Sequence, residues 1–162
     1  MHNQLSVVII SKNEEKFIAD AVKSALFADE VLVLDSGSID DTCVIAQQLG
    51  ARVLHQDWLG FGAQKNKAVE LAKNDWVFVL DSDERITLEL QLEILSTLKN
   101  PTVDGYHTAR LNNFFGKNIR HCGLYPDYSI RLFNRQRGRF NDVSVHESVQ
   151  IQGKTDKLKN HM

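Results

Sequence analysis

No apolar run in this 162-residue chain approaches the ~20 residues needed to cross a bilayer. The N-terminus, MHNQLSVVIISKNEE, has no basic segment, and its apolar stretch is too short for a secretory signal. Only two cysteines occur, Cys43 and Cys122, with no metal-type spacing, so a reduced cytoplasmic thiol pair is the expectation. The G-x-x-x-x-G-K-[ST] and G-x-G-x-x-G patterns are both missing, so two familiar backbone cradles for nucleotide phosphates are excluded. Internal repeats, low-complexity tracts and coiled-coil heptads are also lacking. A single globular domain over 1–162 remains, soluble or at most peripheral to a membrane.

The net charge of −2 hides an asymmetry. Residues 1–100 carry nine Lys/Arg against sixteen Asp/Glu, whereas residues 101–162 carry ten against five. Such a split suggests two parts that face different partners.

In the first hundred residues, strands and helices alternate. Apolar, β-branched runs at 5–10, 31–35, 51–56 and 76–81 read as strands. Helical spacing follows each of them, with capping boxes expected at Ser11/Glu14 and Ser38/Asp41 and a last helix at 88–98. The pattern predicts an α/β fold, a mostly parallel sheet with helices on both faces. After Pro101 the rhythm changes to aromatic, arginine-rich strand-like pieces, read as an antiparallel segment covering one side of a crevice.

Ligands of such sheets bind beyond the carboxyl ends of the strands. Those ends are Ser11-Lys12-Asn13, Asp35-Ser36-Gly37 and Asp81-Ser82-Asp83. Asp81 and Asp83 alternate on an extended backbone, so they can share a side and offer hard oxygen ligands to Mg²⁺ or Mn²⁺. The competing reading is an acidic turn facing water. Asp35 is a candidate acceptor for a base or ribose, while Asp40 and Asp41 suit turn and helix-start geometry. Lys65 could neutralise a diphosphate or be an ordinary surface lysine. His146 and Glu147, in VHES, supply a candidate metal ligand and a candidate base. Asp127 and Arg131 lie on a strand-like piece, and Arg135, Arg137 and Arg139 read as a solvated turn.

The blocks SVVIISKNEEKFIADAVKSAL, VLVLDSGSIDDT, GFGAQKNKAVELA and WVFVLDSDERI, in that order, resemble the family 2 glycosyltransferases of the GT-A fold. YPDYSIRLFNR followed by VHES is similar to the branch that includes lipopolysaccharide core heptose β-glucosyltransferases. The resemblance implies a uridine site near Ser11, Asn13 and Glu14, a base or ribose contact at Asp35, and a nucleotide contact at Lys65. It also implies a D-x-D at Asp81-Ser82-Asp83, with Asp83 nearest a divalent metal. Glu147, then Asp127, are the candidates for the base.

The implied reaction is inverting and metal-dependent, moving a sugar, glucose from UDP-glucose, to a saccharide or lipid-linked saccharide acceptor such as the lipopolysaccharide inner core. Residues 1–100 would be the nucleotide-sugar half and 101–162 a partial acceptor half, since relatives of this branch continue well past LKNHM. The implied place is the cytoplasm, with peripheral contact at the inner membrane and no nucleic-acid partner. Two rivals stand beside it: a non-catalytic nucleotide-sugar-binding remnant, and a haloacid dehalogenase-type phosphatase. The latter also uses D-x-D, but on its first strand.

Overall fold

In the computed structural model the described residues are 3–110, 113–114, 117–118, 127–141 and 147–162. Four strands alternate with four helices: β1 (Leu5–Ser11), α1 (Ile18–Ala25), β2 (Glu30–Asp35), α2 (Thr42–Gln48), β3 (Arg52–His55), α3 (Phe61–Leu71), β4 (Trp76–Asp81) and α4 (Leu88–Thr97). Strands follow: β5 (Gly105–Arg110), β6 (Asn113–Phe114), β7 (Lys117–Asn118), β8 (Asp127–Asn134), β9 (Gly138–Phe140), β10 (Val149–Ile151) and β11 (Thr155–His161).

Seven strands form one sheet in the order β11-β5-β8-β4-β1-β2-β3. β1 pairs in parallel with both β2 and β4, and β2 with β3. Both faces are covered because the strands are apolar on both sides. Val7, Ile9, Val33, Phe78 and Leu80 meet Ile18, Val22 and Ala25 of α1 and Leu90 and Ile94 of α4. Val8, Leu32, Leu34, Val77 and Val79 meet Ala68 and Val69 of α3 on the other face.

The antiparallel pairing expected after Pro101 is found, and most of it joins the main sheet. β8 joins the main sheet antiparallel to β4 and β5, and β11 pairs in parallel with β5. Only β9–β10 and β6–β7 form small ladders of their own. Phe133 and Leu132 of β8 are fully buried, so the added strands extend the core rather than cap it.

Neither expected capping box forms. Ser11 ends β1, and α1 starts only at Ile18, after a turn in which Phe17 and Ile18 donate to the Glu14 carbonyl. Ser38 is spent on Asp35, and α2 starts at Thr42, whose N–H and hydroxyl both donate to Asp40. Arg135 is no solvated side chain: it donates to the carbonyls of Glu70 and Ala72 and pairs with Asp75 at 3.4 Å. Arg137 and Arg139 are exposed, as expected of a turn. Among the described residues no helix is long and apolar enough to cross a membrane.

Candidate active site

Strand register assembles the site. Ser11 sits opposite Asp35, and Ile10 opposite Asp81, so the exits of β1, β2 and β4 form one row. β5 runs the same way and ends at Arg110, which pairs across with Asp127 at the start of β8. The antiparallel strand therefore brings its first residue to the edge where the parallel strands deliver their last.

Asp81 is the centre of a charge network. Lys65 Nζ lies 2.9 Å from Asp81 Oδ1 and 2.9 Å from Glu147 Oε1. On the other side Arg131 Nη1 lies 3.3 Å from Asp81 Oδ2, and Arg131 Nη2 lies 2.9 Å from Glu84. Arg131 also donates to the Val79 carbonyl and to Ser129. Arg110 completes the chain, 3.5 Å from Glu84 and 3.2 Å from Asp127. Lys65 and Arg131 are buried, and buried cations of this kind persist only when paired and hydrogen-bonded. Burial opposes ionisation of Asp81, but Arg131 and then Lys65 hold its carboxyl below the usual range. Burial raises the carboxyl of Glu84, with Asp81 adding to the effect. Glu147 is pulled low: burial opposes it, and the Lys65 hydrogen bond and charge prevail.

The segment carrying Glu147 is clamped to α3. Asn66 exchanges two hydrogen bonds with the Phe140 backbone, at 3.0 and 2.9 Å. Gly62 permits the approach, since a Cβ there would stand 2.7 Å from the Asn141 carbonyl oxygen and 3.7 Å from Glu147 Cβ. His146 lies outside the described residues, as do Cys122 and Tyr125. Cys43, on α2, is a free thiol pushed up to about 11 by burial and then by the charge of Asp35.

Two cavities open at this edge. One, of about 530 Å³, is lined by Ser11, Lys12, Glu14, Trp58, Phe61, Ser82 and Asp83. The other, of about 450 Å³, is lined by His107, Asp127, Tyr128, Ser129 and Arg131. Lys65, Asp81, Arg110 and Glu147 line both.

The expected site residues thus fall into two groups. Ser11, Glu14, Lys65, Asp81, Ser82, Asp83 and Glu147 line the first cavity, and Asp127 lines the second. Asp35 and Asn13 line neither. Asp35 Oδ1 accepts from the hydroxyls of Ser11 (2.8 Å) and Ser38 (2.5 Å), and Oδ2 from the N–H groups of Gly37 (2.9 Å) and Ser38 (2.7 Å). Asn13, at φ 55°, donates its N–H to Ser38 and accepts from Ile39 N. Both organise the loops after β1 and β2, and a direct contact from Asp35 to a base is not offered here.

Trp58, Phe61 and Arg110 line the first cavity, and the sequence reading did not single them out. The available signal was the pair of aromatics around Gly60, just ahead of a helix.

The glycosyl transferase family 2 model matches residues 6–152. The chain belongs to glycosyl transferase family 2. An "uncharacterized glycosyltransferase" of Rickettsia felis is 36% identical over 153 residues, covering 90% of this chain and 54% of the relative. The lipopolysaccharide core biosynthesis glycosyltransferase LpsC of Rhizobium meliloti is 29% identical over 157 residues, covering 92% and 58%. The family 2 chain thus spans little more than half the length of these relatives. Among solved structures, S. aureus TarS superposes with a TM-score of 0.63 at 20% identity over 82% of this chain and 47% of that one, a likeness of fold. Glucosyl-3-phosphoglycerate synthase of Mycobacterium tuberculosis, in complex with Mn²⁺ and UDP, gives 0.55 at 25% identity over 67% and 44%. The GT-A fold expected from the sequence is the one found.

The first cavity offers carboxylate oxygens of the kind a divalent cation takes. Asp83 is exposed at its mouth and makes no hydrogen bond or ion pair with the described residues. Burial and then the Asp83 charge raise the nearby Glu14 carboxyl. Among the described residues no three ligating side chains converge. Mg²⁺ commonly binds through one or two carboxylates, with substrate phosphates supplying the remainder.

Proposed function

We propose that this chain is the donor-binding part of an inverting glycosyltransferase that moves a sugar, glucose from UDP-glucose, to a hydroxyl of a saccharide acceptor of the lipopolysaccharide inner core. The observation that carries this reading is the junction of the two cavities at Glu147. A carboxylate lining both stands where a donor and an acceptor would meet. The sugar assignment draws support from the UDP complex of the mycobacterial relative, and the acceptor assignment from the name of LpsC. Such an acceptor places the reaction in the cytoplasm, at the inner face of the membrane.

The first cavity takes the nucleotide sugar. Asp83, with Glu14 beside it, would hold the divalent cation, Mg²⁺ or Mn²⁺, which when bound neutralises the departing diphosphate. Lys12 lines that cavity, and Lys65 supplies a second cation at its floor. The acceptor enters the second cavity, among Asp127, Tyr128 and His107. Glu147, ionised and held by Lys65, takes the proton of the acceptor hydroxyl as its oxygen attacks the anomeric carbon from the face opposite the diphosphate. Alignment of the two substrates in adjoining cavities supplies much of the remaining rate.

The test compares Glu147→Gln with Asp127→Asn in UDP release from UDP-glucose, with inner-core saccharides as acceptors. Glu147→Gln should lower turnover by ~10²–10⁴-fold, the span general-base catalysis contributes, with donor affinity near wild type. If Asp127→Asn carries that loss while Glu147→Gln turns over fully, Asp127 is the base. UDP-glucose binding without turnover by the wild-type chain would support the non-catalytic donor-binding reading instead.

A further inference from the structure

We infer that the nucleobase of the donor is held by stacking on the indole of Trp58, in the loop between β3 and α3, and not by the carboxylate of Asp35. The inference rests on the nucleotide-sugar reading above.

Two observations meet. The first is that Asp35 has no acceptor capacity left. An ionised carboxylate offers about four lone-pair sites. Ser11, Gly37 and Ser38 fill them with four donors at 2.5–2.9 Å, and the side chain is shut away at 3% exposure. The neighbouring hydroxyls are committed in the same network: Ser38 Oγ donates to Asp35 and accepts from Asn13 N. The Asp35 carboxylate and the Ser11 and Ser38 hydroxyls are therefore engaged with one another.

The second is an apolar wall in the same cavity. Trp58 and Phe61 are its aromatic lining among the described residues, and they stay 46% and 55% exposed. Their rings pack edge to face, with centroids 4.8 Å apart at 87°. This contact steadies the indole and covers at most one of its faces. The loop is fastened from below. Gln64, fully buried, accepts from Leu59 N at 3.3 Å and donates to Ser36 Oγ at 3.0 Å and to the Gln56 carbonyl. Gly60, at φ 96°, makes the turn a side chain would strain. An exposed tryptophan held this firmly at a cavity mouth is a prepared surface for a flat partner. A nucleoside diphosphate sugar has one flat, weakly polar part, its base. The diphosphate belongs with the charged groups of the same cavity, Lys65 and Asp83.

The test uses the whole chain, UDP and inorganic pyrophosphate, both with Mg²⁺. Tryptophan emission and calorimetry are the readouts. Only two tryptophans are present. Trp76 is buried at the start of β4, five residues and roughly 17 Å from the Asp81 end, so an emission change reports Trp58. UDP should change the wild-type emission. Trp58→Ala should weaken UDP by about 5- to 150-fold, the range for losing a base–aromatic stack, and leave pyrophosphate within about twofold. Trp58→Phe should bind UDP with intermediate affinity and lose the emission response. Wild-type affinity for UDP in Trp58→Ala overturns the inference. Equal weakening of both ligands also overturns it, since Trp58 would then shape the cavity as a whole. A wild-type chain that binds pyrophosphate but not UDP refutes the base platform, and one that binds neither refutes the nucleotide-sugar reading along with it.

Discussion

Replacing Asp35 by Asn separates a loop organiser from a nucleotide reader. The amide keeps the shape but offers one acceptor oxygen and a donor where Gly37 N, Ser38 N and two hydroxyls all point donors. Hydrogen bonds to a charged group contribute about 1.5–3 kcal/mol each, offset by the cost of keeping a carboxylate at 3% exposure. A serine hydroxyl can rotate, but the two N–H groups cannot, so the net loss should be about 3 kcal/mol. For a domain of this size that corresponds to a fall in Tm of roughly 6–12 °C. The pH dependence adds a signature. Burial opposes ionisation, but the Ser38 and Ser11 hydrogen bonds hold the folded-state carboxyl below its usual range. A group depressed on folding contributes fully above its unfolded value, near 3.9, and loses that contribution as pH falls through the folded value. Wild type should therefore lose stability below about pH 4 more steeply than Asp35→Asn. Denaturant melts across pH 2.5–7, with UDP calorimetry at pH 7, decide the matter. An unchanged Tm combined with a large loss of UDP affinity would refute the reasoning.

Asp83→Ala should abolish the extra thermal stabilisation that Mn²⁺ gives in the presence of UDP. Its effect on the unliganded chain should stay within about 0.5 kcal/mol, as for an exposed residue, and a retained metal-dependent shift would remove Asp83 as the cation's ligand. Gly62→Ala should cost about 1–3 kcal/mol, because the Asn141 carbonyl oxygen 2.7 Å from the new methyl is backbone and must move. Turnover should fall with it, since Glu147 travels on the displaced segment; chemical denaturation and a UDP-release assay check the two halves.

Much of the first hundred residues was legible because local and tertiary demands coincide there. Runs such as Val31–Leu34 and Val77–Leu80 are apolar on both sides, and both sides are in fact buried. The D-x-D could be placed because it begins where β4 ends. The capping boxes failed for a reason no local pattern carries. Ser11 and Ser38 have their hydroxyls claimed by Asp35, which is distant from Ser11 in sequence and adjacent in space. The antiparallel character of the later strands was legible but their partners were not, because β8 finds β4 and β5 only through long-range pairing. That pairing also explains the charge asymmetry. Arg131 and Arg110, from the basic half, reach Asp81 and Glu84 of the acidic half, and Arg135 reaches Asp75. The two halves carry opposite charge in part because they face each other.

This pairing bears on what the two aspartates of the D-x-D can do. Alternation along an extended backbone would let them act as a matched pair. The structure gives them unlike surroundings instead. Asp81 lies between two buried cations, one on α3 and one on β8, and so joins the α3 layer to the added strands through the sheet. A divalent ion drawing on Asp81 would have to compete with Lys65 and Arg131 for the same two oxygens. Asp83, two residues on, meets no such competition. Lys65 also binds Glu147, so anything that pulls on Asp81 reaches the candidate base through one shared ammonium. Charge arriving at the first cavity can thus be felt at the boundary of the second without any strand moving, because a single side chain touches both carboxylates.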